Sequence, residues 1–403
     1  MRQVIYAWNY VDWGGVQIYF LSLMRFVSRK YNVKAILPEN SAEKLLTYLK
    51  TNNVEFEFFP SEMDRAEAAT VGRRIERRMN DYFCNLSLAK KLSTQDLKNS
   101  IVQIDAAPWT SLTLLLYLAF KTDTFVTFHT PLPEIAEWRK TLWKLKFRTL
   151  TRLNNFHLAA SNQKVKESLQ PYISPETFDK IQVAYSSVDI EEIDEILKHK
   201  PSRVEIAEKY NFPAETLWLC NVGQFIERKG CWVLLDALKN LASKEKNIFF
   251  YWLGTSPLNP ETLKKVNSYG LEKHFRFLSA EEIGPNRTDL FNLLSATDLF
   301  VMPSLEEGLP VALLEAMAFG KCCIASNINA IPEAVEHLKT GFLIPPNDPA
   351  AIEKAILNLM NDETVRRIIG TEARKIVVEK FNDKKTGETM LELYEEAFGK
   401  RAT

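Results

Sequence analysis

The sequence predicts an α/β protein of two Rossmann-like, doubly wound domains, and three observations carry that prediction. Short β-rich runs alternate with longer helical ones, which is the pattern of βαβ units and a parallel sheet. The alternation is broken by an acidic, then basic, polar segment at Asp189–Arg203 and then starts again. The length of 403 residues with 46% apolar content is enough for two separate cores. Strands are expected at Val4–Trp8, Val33–Leu37, Glu55–Phe59, Ile101–Ile104, Phe125–Phe128, Phe156–Ala160 and Ile181–Tyr185, then at Leu217–Val222, Ile248–Leu253, Phe275–Leu278, Leu299–Met302, Cys322–Ala325 and Phe342–Ile344. This places domains at about 1–185 and 186–385, with a linker near 186–200 and a last helical segment at about 386–403, where Met390–Phe398 is amphipathic. In such sheets ligands bind beyond the carboxyl ends of the strands.

Taken in chain order, the first strand is followed by Asn9–Gln17, with Gly14 and Gly15 ahead of an apolar-periodic helix through Leu21, Met24 and Val27. Glycines at a strand-to-helix turn let backbone approach a ligand closely, and they also serve a plain tight turn. Asp64–Lys91 has helical tendency and a cluster of Arg73, Arg74, Arg77 and Arg78, the composition of a solvated face. In Thr124–Pro133, His129 follows a strand at the edge where ligands bind, as either a structural or a catalytic imidazole. Trp138–Leu153 carries Arg139, Lys140, Lys144, Lys146, Arg148 and Arg152 and no acid. At about 100° per residue, Trp138, Leu142, Leu145 and Leu153 form one stripe, assigned to the core. Trp143, Phe147 and Leu150 form a second ridge beside Lys140, Lys144, Arg148 and Arg152, the pattern of an interfacial helix against anionic lipid.

In the second half, Val222–Gly230 runs from a strand into the helix Trp232–Leu241 and holds Gln224, Arg228 and Lys229. Two adjacent cations at a helix start oppose the helix dipole, and an anionic ligand would explain them. The apolar strand Leu299–Met302 leads into Pro303–Gly320, with a tight loop at Glu306-Glu307-Gly308, Pro310 where a helix should begin, and Gly320 past its end. From Gly308 to Gly320 the only charged residue is Glu315, so a buried helix carries a carboxylate in need of a partner. Either an internal ion pair supplies it, or the loop is a ligand site. In the second case the N–H groups of Gly308 and Leu309 hold oxygens, and Glu307 and Glu315 accept from hydroxyls.

Composition limits the alternatives. Net charge is zero, which gives no whole-molecule attraction to nucleic acid. The five cysteines lack metal-ligand spacing and read as reduced core residues; with a first segment that enters a strand at once, they point to the cytoplasm. The longest apolar run, Leu112–Phe120, is far short of the roughly 20 residues of a membrane span. No Asp-x-Asp pair and no Gly-x4-Gly-Lys-Ser/Thr element occurs, so neither a carboxylate-held metal nor P-loop chemistry is expected.

The block PSxxEGxPxxxLEAMAxG, with Glu307-x7-Glu315, resembles the donor signature of retaining glycosyltransferases of the GT-B fold, in the glycosyltransferase family 4 group. The resemblance implies two domains facing across a cleft, with a terminal helix returning to the first. It implies that Glu307 with Gly308, Leu309 and Pro310 holds the transferred sugar, and that Glu315 takes the ribose diol. Gly14-Gly15 matches the family's glycine loop near donor phosphate, and His129 in Val126-Thr127-Phe128-His129 its histidine near the reacting sugar. Lys229 matches the lysine of Gly-Arg-x4-Lys-Gly, whose cations neutralise the pyrophosphate, but Gln224 stands at the arginine and leaves Arg228 as a candidate second cation. Asn329-Ala330 replaces a later Gly-Gly. The function implied is retaining, hexosyl-type transfer from a UDP- or GDP-sugar to a saccharide or lipid-linked acceptor, with no metal or cofactor. A peripheral place on the inner face of the cytoplasmic membrane follows. A nucleotide-sugar epimerase, a sugar phosphorylase or a non-catalytic nucleotide-sugar-binding homologue are the rivals.

Overall fold

The structure is a computed structural model that describes residues 2–9, 15–61, 71–105, 110–244, 247–284 and 286–400, the side chains of 71–75, 77, 78 and 400 excepted. The chain divides into one unit of Met1–Ser186 with Asp383–Thr403 and a second of Ser187–Asn382.

The first unit is built on β1 (Gln3–Ala7), β2 (Asn32–Pro38), β3 (Glu55–Phe59), β4 (Ser100–Asp105), β5 (Asp123–Phe128), β6 (Phe156–Ala160) and β7 (Gln182–Val183), in the order β3-β2-β1-β4-β5-β6-β7. Every pairing is parallel, with Ala7 opposite both Ile36 and Ile104. Because side chains alternate between faces, Ile5 and Ala7 enter one apolar layer while Val4, Tyr6 and Trp8 enter the other. The last strand is shorter than expected: Ile181 is outside it, and Tyr185 instead gives its carbonyl to the Thr386 hydroxyl at 2.9 Å. That hydroxyl belongs to the terminal helix Asp383–Lys400, which lies against the helix Gly15–Val27. Met390, Tyr394, Ala397 and Phe398 are buried there, and Tyr394 donates to Gln103 Oε1 at 2.8 Å.

The helix Glu137–Leu150 reverses an expectation. Its core side is Phe147 and Leu150 with Trp143, whereas Trp138, Leu142 and Leu145 are 62, 54 and 66% exposed. The helix carries two apolar stripes and can turn only one to the sheet. Phe128 meets Phe147 at 5.8 Å and Tyr172 meets Trp143 at 5.8 Å, so the aromatic ridge docks. Burial of Phe147 and Leu150 is worth about 1.5–3 kcal/mol each.

The second unit repeats the scheme with β8 (Leu217–Val222), β9 (Ile248–Leu253), β10 (Phe275–Leu278), β11 (Leu299–Met302), β12 (Cys322–Ser326) and β13 (Phe342–Ile344), in the order β10-β9-β8-β11-β12-β13, again all parallel. The expected linker near 186–200 is a helix, Ile190–His199, because Asp189 caps it by accepting the Glu192 N–H at 3.0 Å and Ile193 is buried. The entering and leaving segments of this unit pair, with Val188 N–H on the Phe381 carbonyl at 3.0 Å. All five cysteines are buried and unbridged. Among the described residues no helix is long and apolar enough to cross a membrane.

Candidate donor site

In the second unit the strand order reverses between β8 and β11, so the loops that follow them diverge from a common point. These loops are 223–230 and 303–310, which hold most of the residues singled out by sequence. They are clasped together: Leu305 N–H donates to the Arg228 carbonyl at 2.8 Å. Gly230 has φ +72°, and a Cβ there would sit 2.0 Å from the Pro303 carbonyl oxygen. Only glycine permits that approach.

The clasp brings cations onto a buried carboxylate. Lys229 Nζ lies 2.5 Å from Glu307 Oε1, the same oxygen that accepts the Ser304 hydroxyl at 2.8 Å. Arg228 Nη1 is 3.9 Å from Glu307 Oε2 and donates to the Glu306 carbonyl at 3.3 Å. Asn329, in left-handed backbone with φ 44°, donates its amide to the Glu307 carbonyl at 2.7 Å. The anion that answers the two loop cations in this structure is therefore a protein carboxylate. Gln224, at the position of the missing cation, is exposed.

The helix after the loop spans Val311–Ala318, with Pro310 as its N-cap rather than its first residue. Among the described residues the amides of Gly308 and Leu309 donate to no protein acceptor, so neither donor is committed within the fold. The other end closes as expected: Lys321 N–H reaches the Ala316 carbonyl at 3.0 Å and Gly320 N–H the Met317 carbonyl at 2.9 Å, with Gly320 at φ +71°. That Schellman closure fixes the helix and thus Glu315.

Glu315 has the ion-pair partner that one reading required. Arg287 Nη2 donates to its Oε1 at 2.6 Å, and Arg287 Nη1 lies 2.9 Å from Glu192 Oε2. Burial raises the Glu315 pKa, and the Arg287 charge and hydrogen bond oppose this. Neither Arg287 nor Glu192 is singled out by sequence reasoning, because a contact over such separations leaves no local signal. Ser304 and Asn329 also join the site; Ser304 stands three residues before Glu307, a spacing that suits a side-chain contact across a tight loop.

Two candidates belong to the first unit. His129 follows β5 and is enclosed, with Tyr19 at 4.8 Å and Phe20 at 5.8 Å between ring centres. Its Nε2 has no hydrogen-bond partner among the described residues, and Asp105 Oδ1 lies 3.9 Å away. Burial pushes its pKa down to about 3, so at neutral pH the ring is uncharged and can exchange a hydrogen bond with a hydroxyl. Gly15 opens the helix Gly15–Val27, while Gly14 lies outside the described residues.

Two all-parallel Rossmann-like units in one chain are the fold of the GT-B class. Solved structures agree over nearly the full length. A glycosyltransferase from Rickettsia africae has a TM-score of 0.76 at 19% identity, covering 98% of each chain. Anabaena Alr3699/HepE, solved in complex with UDP, has a TM-score of 0.74 at 16% identity over 98% of this chain and 100% of that one. Residues 202–376, within the second unit, match the family model described as glycosyl transferases group 1. Curated relatives include N-acetyl-alpha-D-glucosaminyl L-malate synthase of Bacillus anthracis, 26% identical over 48% of this chain and 49% of that protein. Another is the UDP-Gal:alpha-D-GlcNAc-diphosphoundecaprenol alpha-1,3-galactosyltransferase of Escherichia coli, 40% identical over 27% of this chain and 28% of that protein. The chain thus spans about half or less of the length of these two relatives.

Proposed function

We propose that this chain transfers a sugar from a nucleoside diphosphate sugar to an acceptor hydroxyl with retention at the anomeric carbon. The observation that carries the reading is the clasp at the β8/β11 switch point, where Lys229 and Arg228 converge on Glu307 beside the uncommitted amides of Gly308 and Leu309. A sugar diphosphate offers hydroxyls to Glu307 and phosphate oxygens to the cations that now pair with it. The bond from the anomeric carbon to the diphosphate oxygen breaks, and the diphosphate leaves with the electron pair. The acceptor oxygen attacks the same face and passes its proton to the departing diphosphate. Lys229, Arg228 and the loop amides carry the developing charge. Glu315 receives the ribose diol, and neutral His129 contacts a hydroxyl of the reacting sugar. No step calls for a metal.

The acceptor we propose is a saccharide, free or lipid-linked. A membrane role falls to the stripe that the fold leaves outside, Trp138, Leu142 and Leu145, flanked by Arg139 on one side and Lys144, Arg148 and Arg152 on the other. The name of the Escherichia coli relative, with its diphosphoundecaprenol acceptor, supports that choice.

The test is release of nucleoside diphosphate from UDP- and GDP-sugars, with and without saccharide and polyprenyl-diphosphate-linked acceptors, in chelator throughout. Acceptor-stimulated release supports transfer. Release that needs inorganic phosphate identifies a phosphorylase, and donor conversion without release an epimerase. Binding without turnover reduces the chain to a nucleotide-sugar receptor.

A further inference from the structure

Arg287 is held on three sides. It is the first residue of the helix Arg287–Ala296, and its guanidinium lies over the Phe291 ring of the same helix at 4.6 Å. Phe291 is fully buried and meets Phe319, just past the helix that carries Glu315, at 5.2 Å. One nitrogen donates to Glu315 Oε1 at 2.6 Å and the other lies 2.9 Å from Glu192 Oε2. A planar fork with both arms engaged is itself held in place, so the arm on Glu315 Oε1 points from a fixed direction, which a rotating lysine ammonium does not supply.

The surroundings leave that task to Arg287. The helix Val311–Ala318 bears no other charge, and the flanking strands β11 and β12 bear none. Arg374, from the helix Glu363–Lys380, binds the Ala318 carbonyl and pairs with Asp194 at the far end of the Glu315 helix. Lys229 is taken by Glu307. Burial alone would favour a protonated Glu315, which would turn one of its acceptor oxygens into a donor.

We propose that Arg287 is a positioning residue for the nucleotide: it fixes the ionised Glu315 carboxylate for the two ribose hydroxyls, and Glu192 fixes Arg287. The inference rests on the ribose role given to Glu315 above. It adds that recognition of the diol depends on a residue which itself touches no ligand. A contact that only tied the helices together would leave selectivity for the diol unchanged when cut, and that is the difference the test reads.

The experiment titrates the full chain with UDP and GDP and with their 2′,3′-dideoxy counterparts, at about pH 6 and about pH 8.5, because a ratio of affinities cancels ionisation of the diphosphate. The unaltered protein should prefer the diol about tenfold or more, the effect of one hydrogen bond to a charged group. Arg287→Gln should lose most of that preference at the lower pH and regain part of it at the higher, as Glu315 ionises. Arg287→Lys should fall between, and Glu192→Gln should lose less. A folded Arg287→Gln that keeps the full preference at both pH values overturns the proposal. So does full preference in both Arg287→Lys and Glu192→Gln, should Arg287→Gln not fold. No preference for the diol in the unaltered protein overturns the ribose role of Glu315 instead, and this proposal with it.

Discussion

Lys229 and Glu307 neutralise each other at 2.5 Å, so substitution at either alters both the site and its ligand affinity. Lys229→Ala removes a cation from the departing diphosphate and leaves Glu307 to Ser304 and a more distant Arg228. Turnover should fall by about 10²–10³, the usual effect of deleting one group that stabilises transition-state charge. Gln224→Arg places a cation on an exposed position of the same loop and should not lower turnover; weaker donor binding in that variant would show that the loop presents its charges differently. His129 sets a pH dependence of its own. Its ordinary pKa of 6.5 is depressed to about 3 by burial, so between these values the unfolded chain takes up a proton that the folded chain refuses. Folding stability is therefore lost as pH drops below about 6.5, at about 1.4 kcal/mol per pH unit from this residue. In His129→Asn that contribution should vanish, so its denaturation midpoints should fall less between about pH 6.5 and about pH 4.5; parallel curves would rule it out. Glu307, Glu315 and Lys229 were legible in the sequence because a charge in an apolar or glycine-rich setting is a local anomaly. Arg287 was not, since its role depends on what stands across from it after folding.

The helix Glu137–Leu150 shows where element-level reading stops. Periodicity identified two stripes correctly, but it carries no record of which stripe meets complementary rings, and Phe128 and Tyr172 decided that. The strands were easier, as continuous apolar runs such as Ile248–Leu253 are buried on both faces and have no competing orientation. The outward stripe also has apolar company. Tyr82, Phe83 and Leu86 on the helix Val71–Ser93, and Phe120 on Leu112–Lys121, are exposed on helices that share its apolar layer. Vesicles containing anionic lipid should therefore sediment the protein, and added salt should weaken this. Leu142→Glu with Leu145→Glu should abolish sedimentation without lowering thermal stability, since both residues lie outside the core. Equal sedimentation with neutral vesicles would exclude the electrostatic part of the argument.

At the scale of the whole molecule, His129 lies in the first unit and Lys229, Glu307 and Glu315 in the second, and the proposed reaction uses all four. A chain cut to residues 187–382 should retain nucleotide binding and show no transfer. Transfer at the full rate from that piece would exclude a role for the first unit. The second unit is also an insertion, with its entering and leaving segments paired at Val188 and Asn382. The last part of the first unit's core, Met390, Tyr394 and Phe398, is made only after the whole insertion. At about 5–20 residues per second, the ribosome spends roughly 10–40 s on the intervening two hundred or so residues, and meanwhile Phe125 lacks Tyr394 and Tyr31 lacks Phe398, the rings they meet in the folded unit. The first unit is thus begun before the second and completed after it, and the core it leaves uncovered in between is what a chaperone would have to shield.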